Sequence, residues 1–182
     1  MSRQTWLFGG LFVVALVTWQ WFRNDENIGV NEQDFQPDFV ATNLSSVQYN
    51  RQGLPYRGMN AQHAEYYDSL SMTLMKKPVI LLYSPDGQPQ WRLSGDNGTI
   101  NTGDNAVLTG NVVGRGLQPD ALVETLTTEY LEMDFIHNKL QSNQKVTLQS
   151  PQYQAEGIGL RGGLDQQTVE LLNETRATYF NP

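Results

Sequence analysis

An alternation of apolar and polar side chains with a period of two residues runs through most of this sequence, and it limits the chain to β-structure. The pattern is clearest in the segment YLEMDF, where Leu131, Met133 and Phe135 share one face of an extended strand. It recurs around Trp91 and Val146. Clusters of glycine, asparagine and proline end each run. The spacing predicts a dozen or so short strands and no long crossover helix.

A faint internal repeat supports the same interpretation. Residues 107–112, VLTGNV, are echoed by residues 139–146, KLQSNQKV, and each segment follows a strand and a turn. Antiparallel hairpins with one apolar face must bury that face, which gives a sandwich, a jelly roll or a barrel. If the wrap is open, its apolar face forms a groove, and the strands at its two ends are free to accept another strand.

One uncharged apolar segment stands apart from the β pattern. Residues 6–22, WLFGGLFVVALVTWQWF, reach the lower limit for a helix that spans a bilayer. The segment ends in bulky aromatic residues rather than in the small residues of a cleavage site, so it is interpreted as an uncleaved anchor with its N-terminus in the cytoplasm. The predicted organisation is an anchor over residues 1–23, an acidic linker over 24–38 and a β domain over 39–182.

Composition excludes several classes of protein. The chain has 12 Lys and Arg against 19 Asp and Glu, a net charge of -7, so it lacks the basic surface of a duplex nucleic-acid binder. It contains no cysteine, which removes disulfides, thiol nucleophiles and thiolate metal sites. Because of the acidic net charge, nucleic acid is not expected as a partner.

The sequence carries no recognisable catalytic site. The two histidines, His63 and His137, lie far apart and belong to no metal or triad motif. Glu132 and Asp134 share a strand face, which a solvated surface explains, and the glycine-rich residues 157–163 lack the lysine of a phosphate loop. We expect no catalytic residue, no metal and no cofactor, and hence no enzyme. An envelope enzyme with an unrecognised carboxylate site is the remaining alternative of that kind.

Several short segments, in order, carry a family resemblance behind the predicted anchor: AQHAEYY (61–67), KPV (77–79), GQPQW (87–91), LTGNV (108–112), LTT (126–128) and GIGL (157–160). Together they closely resemble the lipopolysaccharide export proteins of the LptC family. The resemblance implies a single-pass inner-membrane protein with a twisted, open antiparallel β-jellyroll, similar to LptA, in the periplasm. It also implies that the jellyroll accepts lipopolysaccharide from an ABC transporter and passes it to a periplasmic bridge.

A lipid site in such an acidic chain must recognise acyl chains rather than phosphates. Burial contributes about 0.8 kcal/mol per CH₂ group, and the phosphates can stay in water. The resemblance implies that Leu44, Met75, Val169 and Tyr179 line the trough. The alternation adds Leu131, Met133 and Phe135. For each residue an ordinary place in the core remains an equal alternative, because periodicity shows a buried face without showing what covers it.

The two sheet edges are the predicted partner sites. The first edge is expected in FVATNLSSVQY, and the last in TRATYF, near the end of the chain. The resemblance assigns the first edge to the jellyroll of the transporter permease and the last to the bridge protein LptA. The alternative is a membrane-anchored adaptor that docks partners without binding lipid. The predicted edge residues are Val40, Ser45, Ser46, Val47 and Gly53 at the first edge, and Arg176, Ala177, Thr178 and Phe180 at the last.

Overall fold

The computed structural model describes residues 19, 36–101, 105–119, 121–163 and 168–180. The chain divides into two compact units, Met1–Gln36 and Pro37–Pro182. Apart from Trp19, the predicted anchor lies outside the described residues, as does most of the predicted linker. Within the described ranges, no helix has the length and apolar character of a membrane span.

Eleven antiparallel strands form one sheet in the described part of Pro37–Pro182, which confirms the predicted all-β antiparallel fold. The strands follow one another along the chain with turns between them, as the alternation predicts. Their bounds are β1 Phe39–Tyr49, β2 Pro55–Tyr67, β3 Met72–Lys76, β4 Val79–Tyr83, β5 Pro89–Ser94, β6 Asn97–Asn101, β7 Asn105–Gly116, β8 Thr125–Asp134, β9 Lys139–Gln149, β10 Tyr153–Gly163 and β11 Thr168–Tyr179.

The sheet separates into two branches, and the strands β2 and β7 each take part in both branches. The first half of β2 pairs with β4, and its second half pairs with β3. In β7 the first half pairs with β6 and the second half with β5. The β4–β5 half-sheet and the β3–β6 half-sheet are therefore separate layers that the long strands β7 to β11 connect. Two layers joined in this way can face each other and bury a shared apolar interior.

The backbone breaks at the boundary between the two half-sheets. On β7 two residues, Gly110 and Asn111, oppose the single residue Glu129 of β8, and both have positive φ. Such bulges bend a strand and increase its twist. The boundary, here called the break line, also crosses the other long strands and the β3–β4 and β5–β6 connections. Its members are Asn43, Lys77, Asp96, Gly110, Asn111, Asn143, Gln144, Gly159 and Glu174.

An ion pair on the sheet's surface lies at this break line. The Asp96 carboxylate accepts hydrogen bonds from Lys77 Nζ and Asn111 Nδ2, both at 2.6 Å. The Asp96 amide in turn donates to the carbonyls of Thr109 and Gly110. These contacts join the β3–β4 connection, the β5–β6 connection and β7 at one point. They link the two connections to β7 where the two half-sheets meet.

The interior contains aliphatic side chains from both half-sheets. Leu93 of β5 and Ile80 of β4 are fully buried on one side, and Leu108 of β7 is fully buried on the other. Burial alternates along most strands, as expected for a sheet with one covered face. The interior is therefore a single core that both layers share.

Candidate lipid trough and sheet edges

Three of the predicted trough residues are wholly enclosed. Met75 on β3 is 2% exposed, and Leu131 and Met133 on β8 are both 0% exposed. Leu131 faces Leu108 in the register of β7 and β8, and Met133 faces Ala106. These three side chains are close-packed core in the structure, so replacing them tests stability before it tests binding.

The other predicted trough residues lie nearer the surface. Leu44 on β1, Phe135 after β8 and Val169 on β11 are half-buried and pack against the core. Tyr179 is 78% exposed, with its ring 6.1 Å from the ring of Tyr153. Tyr179 and Tyr153 are cross-strand partners and therefore share a face. Because Tyr153 packs against the core, Tyr179 continues the inner face to the end of the sheet.

A narrow apolar gap lies between the half-sheets near β11. One wall comes from β5 and β8, and the opposite wall comes from the halves of β9, β10 and β11 that belong to the β3–β6 half-sheet. The gap has a volume of about 20 Å³, which is room for about one water molecule. The interior is therefore nearly closed at this point. The side chains that meet across the gap are Trp91, Leu93 and Leu126 on one wall and Leu140, Leu160 and Val169 on the other.

Sequence reasoning did not assign Trp91, Leu140 or Leu160 to the trough. The signal was present, because Trp91 alternates with polar neighbours in the segment QWRLS. What the sequence lacked was the pairing of distant strands that brings β5 opposite β10.

A buried arginine is a second feature that sequence reasoning missed. Arg57 on β2 is 4% exposed, and its guanidinium lies 4.0 Å from the centre of the Phe135 ring. Its Nε donates to the side-chain oxygen of Gln48 at 2.8 Å. Arg57 shares its strand phase with Met59 and Ala61, which is the sequence signal that could have placed it on the inner face.

Three surface lysines have partners within the protein. Lys77 binds Asp96, Lys76 donates to Asn97, and Lys145 lies 2.9 Å from Glu156. The Lys77 hydrogen bond, followed by that of Asn111, holds the pKa of Asp96 below its ordinary value. The Lys76-Lys77 pair therefore serves the protein's own surface contacts in this structure.

The two histidines sit beside carboxylates at the surface. His63 lies 3.0 Å from Glu65, and His137 lies 2.6 Å from Asp134. The backbone amide of His137, followed by its ring, lowers the pKa of Asp134. Across the described residues no group of three or more His, Asp or Glu side chains converges as metal ligands would.

Strands β1 and β11 form the two edges of the sheet. β1 pairs only with β2 and β11 only with β10 among the described strands. β1 has the bounds of the predicted first edge, and the predicted residues Val40, Ser45, Ser46 and Val47 are exposed on it. Gly53 lies in the turn after β1, where its φ of 78° suits glycine.

The last edge is longer than predicted. β11 begins at Thr168, seven residues before the predicted start at Thr175. The predicted residues Arg176, Ala177 and Thr178 are exposed on this strand. Phe180 follows the strand, and its amide already donates to the carbonyl of Gln152.

The direction of the β11 amides follows from that last bond. In an antiparallel ladder the amides of successive residues point alternately to the neighbouring strand and away from it. Since the Phe180 amide points to the β10 side, that of Thr178 does the same, whereas those of Ala177 and Tyr179 point outward. At the C-terminal end of this edge, the amides of 177 and 179 are therefore outward-pointing donors.

Comparison with known proteins identifies both the architecture and the family. LptH of Pseudomonas aeruginosa, the LptA homologous periplasmic component of the lipopolysaccharide transport device, aligns with a TM-score of 0.51 at 13% identity. The alignment covers 69% of this chain and 95% of LptH. The fold is thus that of an LptA-like β-jellyroll.

The family follows from sequence similarity. Residues 10–180 match the model of the family described as lipopolysaccharide-assembly, LptC-related. The lipopolysaccharide export system protein LptC of Escherichia coli K12 is 25% identical over 170 residues, covering 93% of this chain and 88% of that protein. LptC of Haemophilus influenzae is 23% identical, with 93% and 91% covered. The chain belongs to the LptC family, and it is a component of lipopolysaccharide transport across the periplasm.

Proposed function

We propose that this chain carries lipopolysaccharide by holding its acyl chains between the two half-sheets and passing them toward the β11 edge. The observation that supports the proposal is that one apolar face is continuous from edge to edge. Leu44 lies on it at β1, and Val169 and Tyr179 lie on it at β11. A lipid that enters at one end of this face can follow mainly apolar side chains to the other end.

Loading requires the half-sheets to separate. The gap of about 20 Å³ between them is too small for an acyl chain. Each CH₂ group that moves from water into the interior contributes about 0.8 kcal/mol, so one chain of a dozen carbons contributes about 10 kcal/mol. That gain offsets the loss of packing between the two walls of the gap when the layers part.

The phosphates and sugars of the ligand remain in water in this proposal. Three of the described surface lysines bind side chains of this protein: Lys77 contacts Asp96, Lys145 contacts Glu156, and Lys76 donates to Asn97. The chain also has a net charge of -7, which repels an anionic head group. Acyl-chain burial is therefore the main favourable term.

The partners proposed for the two edges are those that the family resemblance implies. We place the jellyroll of the transporter permease at β1 and the bridge protein LptA at β11, each adding a strand to the sheet. The anchor over residues 1–23 then holds the chain in the inner membrane with the β domain in the periplasm. Energy for transport comes from the transporter, since the chain carries no phosphate-loop motif.

Site-specific photo-crosslinking in cells tests the lipid path. A photoreactive residue at Leu44, Val169 or Tyr179 should form lipopolysaccharide adducts. The same probe at Thr127, which is exposed on the opposite face of β8, is the matched control. Adducts at Thr127 equal to those at the three trough positions would contradict the proposed path.

The nearly closed gap favours a second candidate, an adaptor that docks partners without holding lipid. In that case the three trough positions give no lipid adduct while both partner complexes still form. Adducts that depend on the ATPase activity of the transporter would instead support the carrier.

A further inference from the structure

Both edge strands carry a residue in the left-handed conformation where the break line reaches them. Asn43 on β1 has a φ of 56°, and Glu174 on β11 has a φ of 49°. Asparagine adopts this conformation readily, whereas glutamate rarely does. The surrounding structure must therefore hold Glu174 in place, and its bend is a fixed property of the edge.

The neighbouring strand provides that support. Across the pair, Glu156 faces Arg176 and Ile158 faces Asn173, so the two residues Glu174 and Thr175 oppose the single residue Gly157. A Cβ atom on Gly157 would lie 3.0 Å from the carbonyl oxygen of Asn173. The bulge of β11 is thus seated closely against a glycine.

The bend divides the β11 edge into two pairing segments. Residues 168–173 precede Glu174 and residues 175–179 follow it. A straight strand can follow only one of these segments, because the edge turns away from it at the bulge. A strand that bends at the same place can pair with both and form about twice as many backbone hydrogen bonds.

The other edge of this chain is an example of such a strand. β1 is 11 residues long and bends at Asn43, with four residues before the bend and six after it. The bend on β1 lies on the same break line as the bend on β11. An edge strand from a second jellyroll of this fold would bring its own bend.

We propose that Glu174 sets the register of the strand that binds at β11, and that the occupant is the edge strand of the bridge protein's jellyroll, with a left-handed Gly, Asn or Asp at its middle. This inference rests on the proposed strand addition at β11. It goes beyond that function by naming the residue that selects the partner strand and the feature that the partner strand must carry.

Substitutions at Glu174 can change its backbone conformation and its side-chain charge independently. Glu174→Val introduces a β-branched residue that disfavours positive φ, whereas Glu174→Gly relieves the strain. Glu174→Gln keeps the backbone preference and removes the charge, so it is the matched control. Ala177→Pro removes an outward amide and tests strand addition itself.

The assay measures binding of the full-length chain in detergent to the LptA-type bridge protein of the same organism. We expect Glu174→Val to weaken binding about tenfold, with Glu174→Gln and Glu174→Gly within about twofold of the unmodified chain. Thermal unfolding of each variant checks that the domain remains folded. If Glu174→Val does not fold, Glu174→Thr, which is also β-branched but smaller, takes its place.

The outcomes distinguish the two proposals. If Ala177→Pro weakens binding but Glu174→Val binds like Glu174→Gln, strand addition stands and the register role of Glu174 is wrong. If Ala177→Pro also leaves binding unchanged, strand addition at β11 fails and the register role fails with it. A complex of two copies of this chain, formed in place of the bridge complex, would overturn the assigned occupant.

Discussion

Met133 is the residue whose truncation should show most directly that the two half-sheets share one core. It is 0% exposed and faces Ala106 across the strand pair. Met133→Ala removes three heavy atoms beyond Cβ, and at about 0.8 kcal/mol per methylene-sized group the transfer cost is about 2.4 kcal/mol. Ala106 is too small to fill the space, so the cavity adds to this cost. We expect a loss of about 3 kcal/mol, within the range of about 2–5 for such truncations.

Thermal unfolding of the full-length chain in a mild detergent, followed by far-ultraviolet circular dichroism, measures this loss. For a domain the size of Pro37–Pro182 each kcal/mol shifts the midpoint by about 3 °C, so Met133→Ala should lower it by about 10 °C. Thr127→Ala, on the exposed face of the same strand, should change the free energy of unfolding by less than about 0.5 kcal/mol. A loss below about 1 kcal/mol for Met133→Ala would show that the two layers are not packed on each other as described.

Two further perturbations test the break line and the packing near it. Lys77 lowers the pKa of Asp96 below its ordinary 3.8, so the ionised carboxylate stabilises the fold above about pH 4 and loses that effect as acidification protonates it. The unfolding midpoint should therefore fall less for Asp96→Asn than for the unmodified chain between about pH 5 and pH 3, and equal falls would contradict the role of this pair. A Cβ on Gly98 would lie 2.9 Å from Cγ of Pro78, so Gly98→Ala should cost about 1–3 kcal/mol in urea unfolding. In Gly58→Ala the nearest contact is an ordinary 3.4 Å, and a loss equal to that of Gly98→Ala would exclude overpacking as the cause.

The bounds of the two edge strands show how much of the candidate site could be predicted from local sequence. β1 was predicted with the bounds that the structure has, because FVATNLSSVQY lies between a polar linker and a glycine turn. β11 was predicted to begin seven residues too late. Its first half, TVELLN, breaks strict alternation at Leu171-Leu172, so no single phase of two residues identified it as a strand.

The phase of alternation also changes at the break line. In β8 the buried positions are 126 and 128 before the break and 131 and 133 after it. A period read across the whole strand therefore assigns one of the two halves to the wrong face. The contribution of Leu126 to the interior was missed for this reason, whereas those of Leu131 and Met133 were predicted.

The sequence by itself determined the antiparallel β class and the identity of one apolar face, because the two-residue period is a local property of an extended backbone. Only the tertiary structure decided which side chains meet across the layers, since the pairing of β5 with β7 and of β9 with β10 brings Trp91 opposite Leu160. The contact of the buried Arg57 with the Phe135 ring likewise depends on two distant parts of the chain. The left-handed conformation of Glu174 has the same origin, because a glutamate adopts it only where the neighbouring strand and its glycine hold the bulge.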